Sequence, residues 1–289
     1  MKLADIDREL DAARRDGPVK DIAIPPCPEL LVALQAEMRK ADSDPAEIAR
    51  IAGSDVAMAA SLIRVVNSPL YARSRPANTV GEALAMLGMA PTASILTGLL
   101  TRHAIRVSSP LVEHFWETST RRSLAMAYIA RQLYGVDADV AQTCGLFMHV
   151  GIPIMLQGLR GYTSTLTEAL ARKDRGFTDT ENAVHRTDHA VVGAIVARAW
   201  HLPPGLVAAI RLHHDFSALK DARIPSEVRQ LVAIAAIAEH LVAGFEGVQE
   251  QREWAQFGAA CLAYLQVGEG EVELWKDALH DTFEGVVLA

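Results

Sequence analysis

The spacing of apolar residues constrains this chain more than any other feature, and that spacing is helical. Leu231, Ile234, Ala235, Ala238, Leu241, Val242 and Phe245 form one continuous stripe at intervals of three and four residues. Such a stripe covers one face of an α-helix. Shorter versions recur at Leu31, Leu34 and Met38, at Ala59, Leu62, Ile63 and Val66, and at Val192, Ile195, Val196 and Ala199. No useful stretch alternates apolar with polar residues, so no significant sheet is expected. Half of the residues are hydrophobic and 22% are charged, with aromatics at only 6%. Aliphatic side chains therefore supply most of the core, which suits helices packed on helices, and general disorder is excluded.

The breaks between stripes carry helix punctuation. Asp44-Pro45-Ala46-Glu47 reads as an N-cap, a proline in the first turn and a capping-box glutamate. Thr79 with Glu82, and Thr178 with Glu181, read as two further capping boxes. Asn67-Ser68-Pro69 reads as a stop, with Asn67 suited to a left-handed cap. Gly17-Pro18 closes the first helix, Gly88 and Pro91 join two helices tightly, and Pro203-Pro204 opens a late one. Together these signals predict about thirteen helices. The polar break Arg106 to Pro110 divides the chain into an N-terminal helical part, 1–105, and a C-terminal part, 106–289. A second loop is expected over Leu219 to Ser226.

The net charge of -7 disfavours sequence-blind binding to phosphate backbones, so direct nucleic-acid binding is not expected. Cys27, Cys144 and Cys261 are far apart and form no CxxC, so they read as free thiols. Met1 to Leu10 lacks the pattern of a signal peptide, and no run of about 18 uncharged apolar residues is present. These features place the protein in the cytoplasm and not in a membrane.

Ten histidines are the main chemical resource. His185 and His189 are four apart and would share a helix face if one helix holds both. His213 and His214 are adjacent and precede Asp215, and His149 lies in the apolar run Leu146 to Gly151. His240 follows Glu239 on the long late helix. Each of these alone reads more readily as a structural or surface histidine than as a ligand. The basic pair Arg121-Arg122 reads as a solvated surface or a contact to a phosphate or carboxylate. No nucleophile elbow, Walker loop or dinucleotide fingerprint occurs.

Several stretches together resemble the HDOD family, a relative of the HD metal-dependent phosphohydrolases. They are Ile24 to Leu30; Ser54-Asp55-Val56 with Leu62 to Ser68, Tyr71, Pro76, Thr79, Glu82-Ala83 and Leu87-Gly88; Phe115 to Ser119; Gly145 to Pro153; and Thr187-Asp188-His189 through Trp200 to His213-His214-Asp215. They span about residues 20 to 216. The resemblance implies an all-α, multi-helix HD-like bundle with two packed helical subdomains. It also implies a role in bacterial signal transduction.

Two departures from the hydrolase pattern carry the functional expectation. Where HD hydrolases place a histidine after the aromatic–Trp stretch, this chain has Thr118. The eponymous His-Asp pair aligns with Met148-His149, or alternatively with His149-Val150, and in either case the aspartate is missing. His189, His213 and His214 remain where later ligands would fall. A degenerate metal site without its carboxylate is not expected to hold a metal or cofactor, and the chain reads as a non-catalytic regulatory module. Its expected partner is a signalling protein or a nucleotide ligand, with Arg121, Arg122 and Asp215 as contact residues. The alternative is a divergent phosphohydrolase that uses His149, His189, His213 and His214 with a remote carboxylate, Asp215 or Glu239. A third reading is a self-associating scaffold with an interface around Trp254 to Trp275.

Overall fold

The fold is described from a computed structural model, which covers residues 2–67, 76–106, 109–172, 174–248 and 251–286. Every regular element among them is helical. The chain opens with α1 (Leu3–Arg15) and continues through α2 (Glu29–Met38), α3 (Pro45–Gly53), α4 (Val56–Val66), α5 (Val80–Leu87) and α6 (Met89–Ala104). Then come α7 (Phe115–Gln132), α8 (Ala138–Phe147), α9 (Gly151–Gly158), α10 (Tyr162–Ala171), α11 (Phe177–His185), α12 (His189–Ala199) and α13 (Pro204–Leu212). The last three are α14 (Ser226–Phe245), α15 (Arg252–Leu265) and α16 (Glu269–Glu284). Punctuation alone undercounts these helices because several are joined by single turns.

The contacts divide the chain into two compact units. One comprises Met1–Pro25 and Val107–Lys276, the other Pro26–Arg106 and Asp277–Ala289. A division at 105/106 assigns the first 25 residues to the N-terminal half, whereas their contacts place them in the larger unit. The cause is side-chain pairing along α1. Ile6 and Leu10 are buried, Glu9 accepts from Arg211 at 2.6 Å, and Asp11 pairs with Arg198 at 2.8 Å.

In the smaller unit, α2 packs on α6, α3 on α5, and α4 on both α5 and α6. Asp44 caps α3 through the amide of Ala46, but Glu47 turns to Arg50 and does not close the box. Glu37 reaches the Asp44 amide instead, at 2.8 Å. Thr79 caps α5 through the amide of Glu82. Gly88 adopts φ 85°, which lets α5 run directly into α6.

Asn67 is right-handed, with φ -86°, so its value lies in its side chain and not in a left-handed cap. Its carboxamide donates to the Ala77 carbonyl and accepts from the Ala77 amide, both at 2.8 Å. Ser68, Pro69 and Tyr71 lie outside the described residues. Asn67→Ala removes both partners of a buried backbone group. The variant should lose about 1–2 kcal/mol in chemical denaturation, and an unchanged midpoint would show that the clamp contributes nothing.

In the larger unit, α7 lies against α8 and α14, while α12 contacts α9 and α13. α12 is apolar nearly all round, and His189 through Ala197 are all buried. It is the central helix of the unit. Trp200 closes its end, fully buried, and donates to the Pro25 carbonyl at 2.9 Å. Gly145 allows α8 to lie on the backbone of α7, since a Cβ there would sit 2.8 Å from the Arg122 carbonyl oxygen.

Cys144 and Cys261 are buried free thiols, and burial pushes each up to about 12. Trp275 is buried and Trp254 stacks on His240, so neither presents a bare apolar face. Two stretches, Ala138–Gly158 and Ser226–Phe245, are long and apolar enough to cross a membrane by length and composition, although neither is an uncharged run. Within the protein 78% and 56% of their windows are buried, as in the core helices of a bundle.

Candidate functional site

Three helix ends in the larger unit bring four imidazoles together. His149 occupies the turn between α8 and α9, His189 is the first residue of α12, and His213 and His214 follow the last turn of α13. One nitrogen from each ring lies within 4.8 Å of the others. His189 Nε2 is central, 3.1 Å from His149 Nδ1, 3.3 Å from His213 Nε2 and 3.2 Å from His214 Nε2.

Each ring is fixed from behind by an acceptor on its other nitrogen. His189 Nδ1 faces Glu181 at 2.7 Å, and His149 Nε2 faces Glu239 at 2.8 Å. His214 Nδ1 faces both oxygens of Glu253 at 2.8 and 2.9 Å, and His213 Nδ1 faces the Ile210 carbonyl at 2.6 Å. Carboxylates accept only, so each outer nitrogen carries the ring proton. The four inner nitrogens then present lone pairs, the tautomer that binds a metal.

The expectation that no anionic group stands beside these imidazoles is therefore corrected. Three carboxylates reach them from α11, α14 and α15, helices other than those that carry the histidines. Glu239 was among the remote carboxylates considered. Asp215 was too, but it caps the following 3-10 turn through Ser217 and does not reach the cluster. Glu181 has no part in a capping box: α11 starts at Phe177 with Gly176 as its cap. Glu181 is fully buried and accepts from the Tyr162 hydroxyl and from both the amide and Nδ1 of His189. The eight-residue spacing from Glu181 to His189 gives no hint of this, because a chain reversal lies between them.

His185 and His189 do not share a helix face. Arg186 turns left-handed at φ 55°, α11 ends there, and Asp188 caps the start of α12 through the Val191 amide. His185 bonds Thr165 instead, at 2.9 Å.

The electrostatics of the four rings differ. Burial is the main cause holding His149 well below the ordinary histidine value, and Arg122 and the neighbouring imidazoles act in the same direction. Burial likewise holds His213 well below it, assisted by His214 and His149. Burial also opposes a charge on His214, but Glu253 outweighs it, aided by Glu239 and Glu181, so His214 lies above its ordinary value. His149 and His213 are neutral near pH 7.

His149, His213 and His214 form part of the lining of a cavity of about 510 Å³ within this unit. Phe177 stands edge-on to His189 at 5.1 Å and parallel to His214 at 6.4 Å. Thr118 and Met148 also line the cavity, as does Arg122, which pairs with Glu239. Thr118 donates to Glu246 at 2.7 Å, and Arg121 pairs with the same carboxylate at 3.0 Å. Thr118 thus sits on the cavity wall and contributes no imidazole to the cluster.

An all-α bundle with a histidine-lined pocket between helix ends defines an HD-like protein. The HDOD domain profile matches residues 24–216, and the chain belongs to that family. Among solved structures, an HDOD domain protein of unknown function from Geobacter sulfurreducens matches with a TM-score of 0.72 at 17% identity, over 97% of this chain and 96% of that one. A Marinobacter aquaeolei VT8 protein named provisionally for signal transduction matches at 0.75 and 16% identity, over 99% and 67% of the two chains. A Shewanella amazonensis SB2B protein named provisionally as a phosphohydrolase matches at 0.74 and 18% identity, over 98% and 97%. At such identities the likeness shows the fold alone. A curated relative from Treponema pallidum (strain Nichols), of uncharacterised function, is 21% identical over 264 residues. The match takes in 90% of this chain and about half the length of that relative.

Proposed function

We propose that this chain is a non-hydrolytic regulatory module that acts in bacterial signal transduction, in the cytoplasm, by binding rather than by turnover. Membership of the HDOD family and the likeness to a protein named for signal transduction support the regulatory class. One observation carries the non-hydrolytic reading. At the position of the hydrolase aspartate stands His149 or Val150, and the carboxylates near the cluster engage the outer faces of the imidazoles. A two-ion hydrolytic centre needs an anionic oxygen held between the ions to activate water. Here the inner shell is nitrogen only.

The cavity volume falls in the range of small-ligand pockets, roughly 300–1,000 Å³. Arg122 and Arg252 beside its aromatic walls suit a ligand with a ring and an anionic group, which a nucleotide combines. Ligand occupancy would then change what the module presents to a signalling partner.

The reading is tested by incubating the purified chain with bis(p-nitrophenyl) phosphate and with cyclic dinucleotides, in the presence of Mn²⁺ or Fe²⁺. No product above the protein-free blank is expected, together with saturable binding of a nucleotide. Metal-dependent turnover that disappears in His189→Ala would overturn it in favour of a divergent phosphohydrolase.

A further inference from the structure

The inner face of the histidine cluster is electrostatically incomplete. Four nitrogen lone pairs point at one another across 3.1–3.3 Å from His189 Nε2, with each ring proton committed outward. Like dipoles aimed at a common point repel, and the low dielectric of a largely buried site strengthens that repulsion. A cation at that point reverses the sign of the interaction. The charge behind the rings fits a doubly charged one: Glu181, Glu239 and Glu253 against Arg122 leave two net negative charges.

We propose that His149 Nδ1, His189 Nε2, His213 Nε2 and His214 Nε2 form a four-imidazole site for a single divalent transition-metal ion of the zinc class.

The geometry carries this. Metal–nitrogen bonds of about 2.0–2.1 Å in a tetrahedron put neighbouring nitrogens about 3.3–3.4 Å apart. The three distances to His189 Nε2 lie close to that edge, and the full spread of 4.8 Å needs only a modest inward turn of the outermost ring. The donor set selects the ion. Imidazole favours Zn²⁺, Ni²⁺ and Cu²⁺, whereas Mg²⁺, Mn²⁺ and Ca²⁺ prefer oxygen. Four protein ligands close the shell, which is the mark of a structural site and leaves no position for an activated water. The ion would tie together the ends of α8, α12 and α13, so its binding sets the order of the cavity wall. The competing occupant is a proton on His214, directed at His189 Nε2.

Binding of this ion and absence of turnover are separate claims about one cavity. The full chain is stripped with a chelator and titrated calorimetrically with Zn²⁺, with Mg²⁺ as the comparison ion, and spectroscopically with Co²⁺. The expected result is one equivalent of Zn²⁺ per chain, no measurable Mg²⁺ binding, and the intense visible absorption of tetrahedral Co²⁺, bleached when Zn²⁺ displaces it. His149→Gln and His214→Gln should each weaken Zn²⁺ binding by at least 10–100-fold. The Co²⁺ spectrum of the unaltered chain stands even if a variant fails to fold. Weak octahedral absorption, a stoichiometry other than one, or equal affinity in folded variants would overturn the site and leave the regulatory reading intact. Turnover by the Zn²⁺-loaded chain would overturn the regulatory reading and leave the ion.

Discussion

Gly151→Ala is expected to yield little stable protein. A Cβ at this position would lie 2.0 Å from the His189 carbonyl oxygen, 2.8 Å from its carbon and 2.9 Å from the Gly193 amide nitrogen. These are backbone atoms of the central helix α12, and no side-chain rotation relieves the clash. Either α9 moves away from α12 or the first turn of α12 unwinds, and both outcomes displace His189. Overpacking in a core commonly costs about 1–3 kcal/mol. A backbone-to-backbone clash belongs at or beyond the top of that range, equivalent to a drop in Tm of roughly 6–12 °C for a unit of this size. Gly244→Ala is the control, because a Cβ at Gly244 meets nothing within 4 Å. That variant should melt no lower than the unaltered chain. Equal melting of the two variants would show that α9 and α12 are not in the close contact described here.

Glu181→Ala is expected to cost about 3 kcal/mol or more, since each buried donor left without its acceptor costs about 1–3 kcal/mol. Three donors lose their acceptor at once: the Tyr162 hydroxyl, the His189 amide and His189 Nδ1. Glu181 is fully buried, so water cannot replace it without opening the core. Tyr162→Phe removes one donor and leaves the other two satisfied, and should cost only about 1 kcal/mol. A purely structural role would stop at stability. The position of Glu181 behind His189 predicts more: in folded Glu181→Gln, Zn²⁺ affinity should fall about 10–100-fold, because the side chain that sets the His189 tautomer has changed. Glu181→Ala as stable as the unaltered chain would mean that the carboxylate is neither buried nor bonded as described.

The two substitutions mark where reading the chain by pattern fails. Thr178 and Glu181 satisfy the spacing of a capping box, yet Gly176 caps α11 and Glu181 turns inward. The spacing rule registers only local geometry, whereas Tyr162 and His189 compete for the same carboxylate from other helices. The His185–His189 spacing fails for a related reason. A helical face exists only if the helix continues, and the left-handed Arg186 ends it. Glu253 carries no local signal at all, since nothing near it in sequence distinguishes it from an exposed helix-start acid.

What the amino-acid order determined by itself is the set of local choices. Apolar spacing made every described regular element a helix, Asp44, Asp55, Thr79 and Asp188 set where helices begin, and the HDOD signature identified the family. These depend on residues within a turn or two of each other, where spacing alone fixes the geometry. Tertiary packing decided the chemistry of the site. It placed α1 with the larger unit, brought imidazoles from three helix ends within 4.8 Å, and put a carboxylate from a fourth, fifth and sixth helix behind them. Convergence across such separations is set by helix packing, which sequence spacing does not encode.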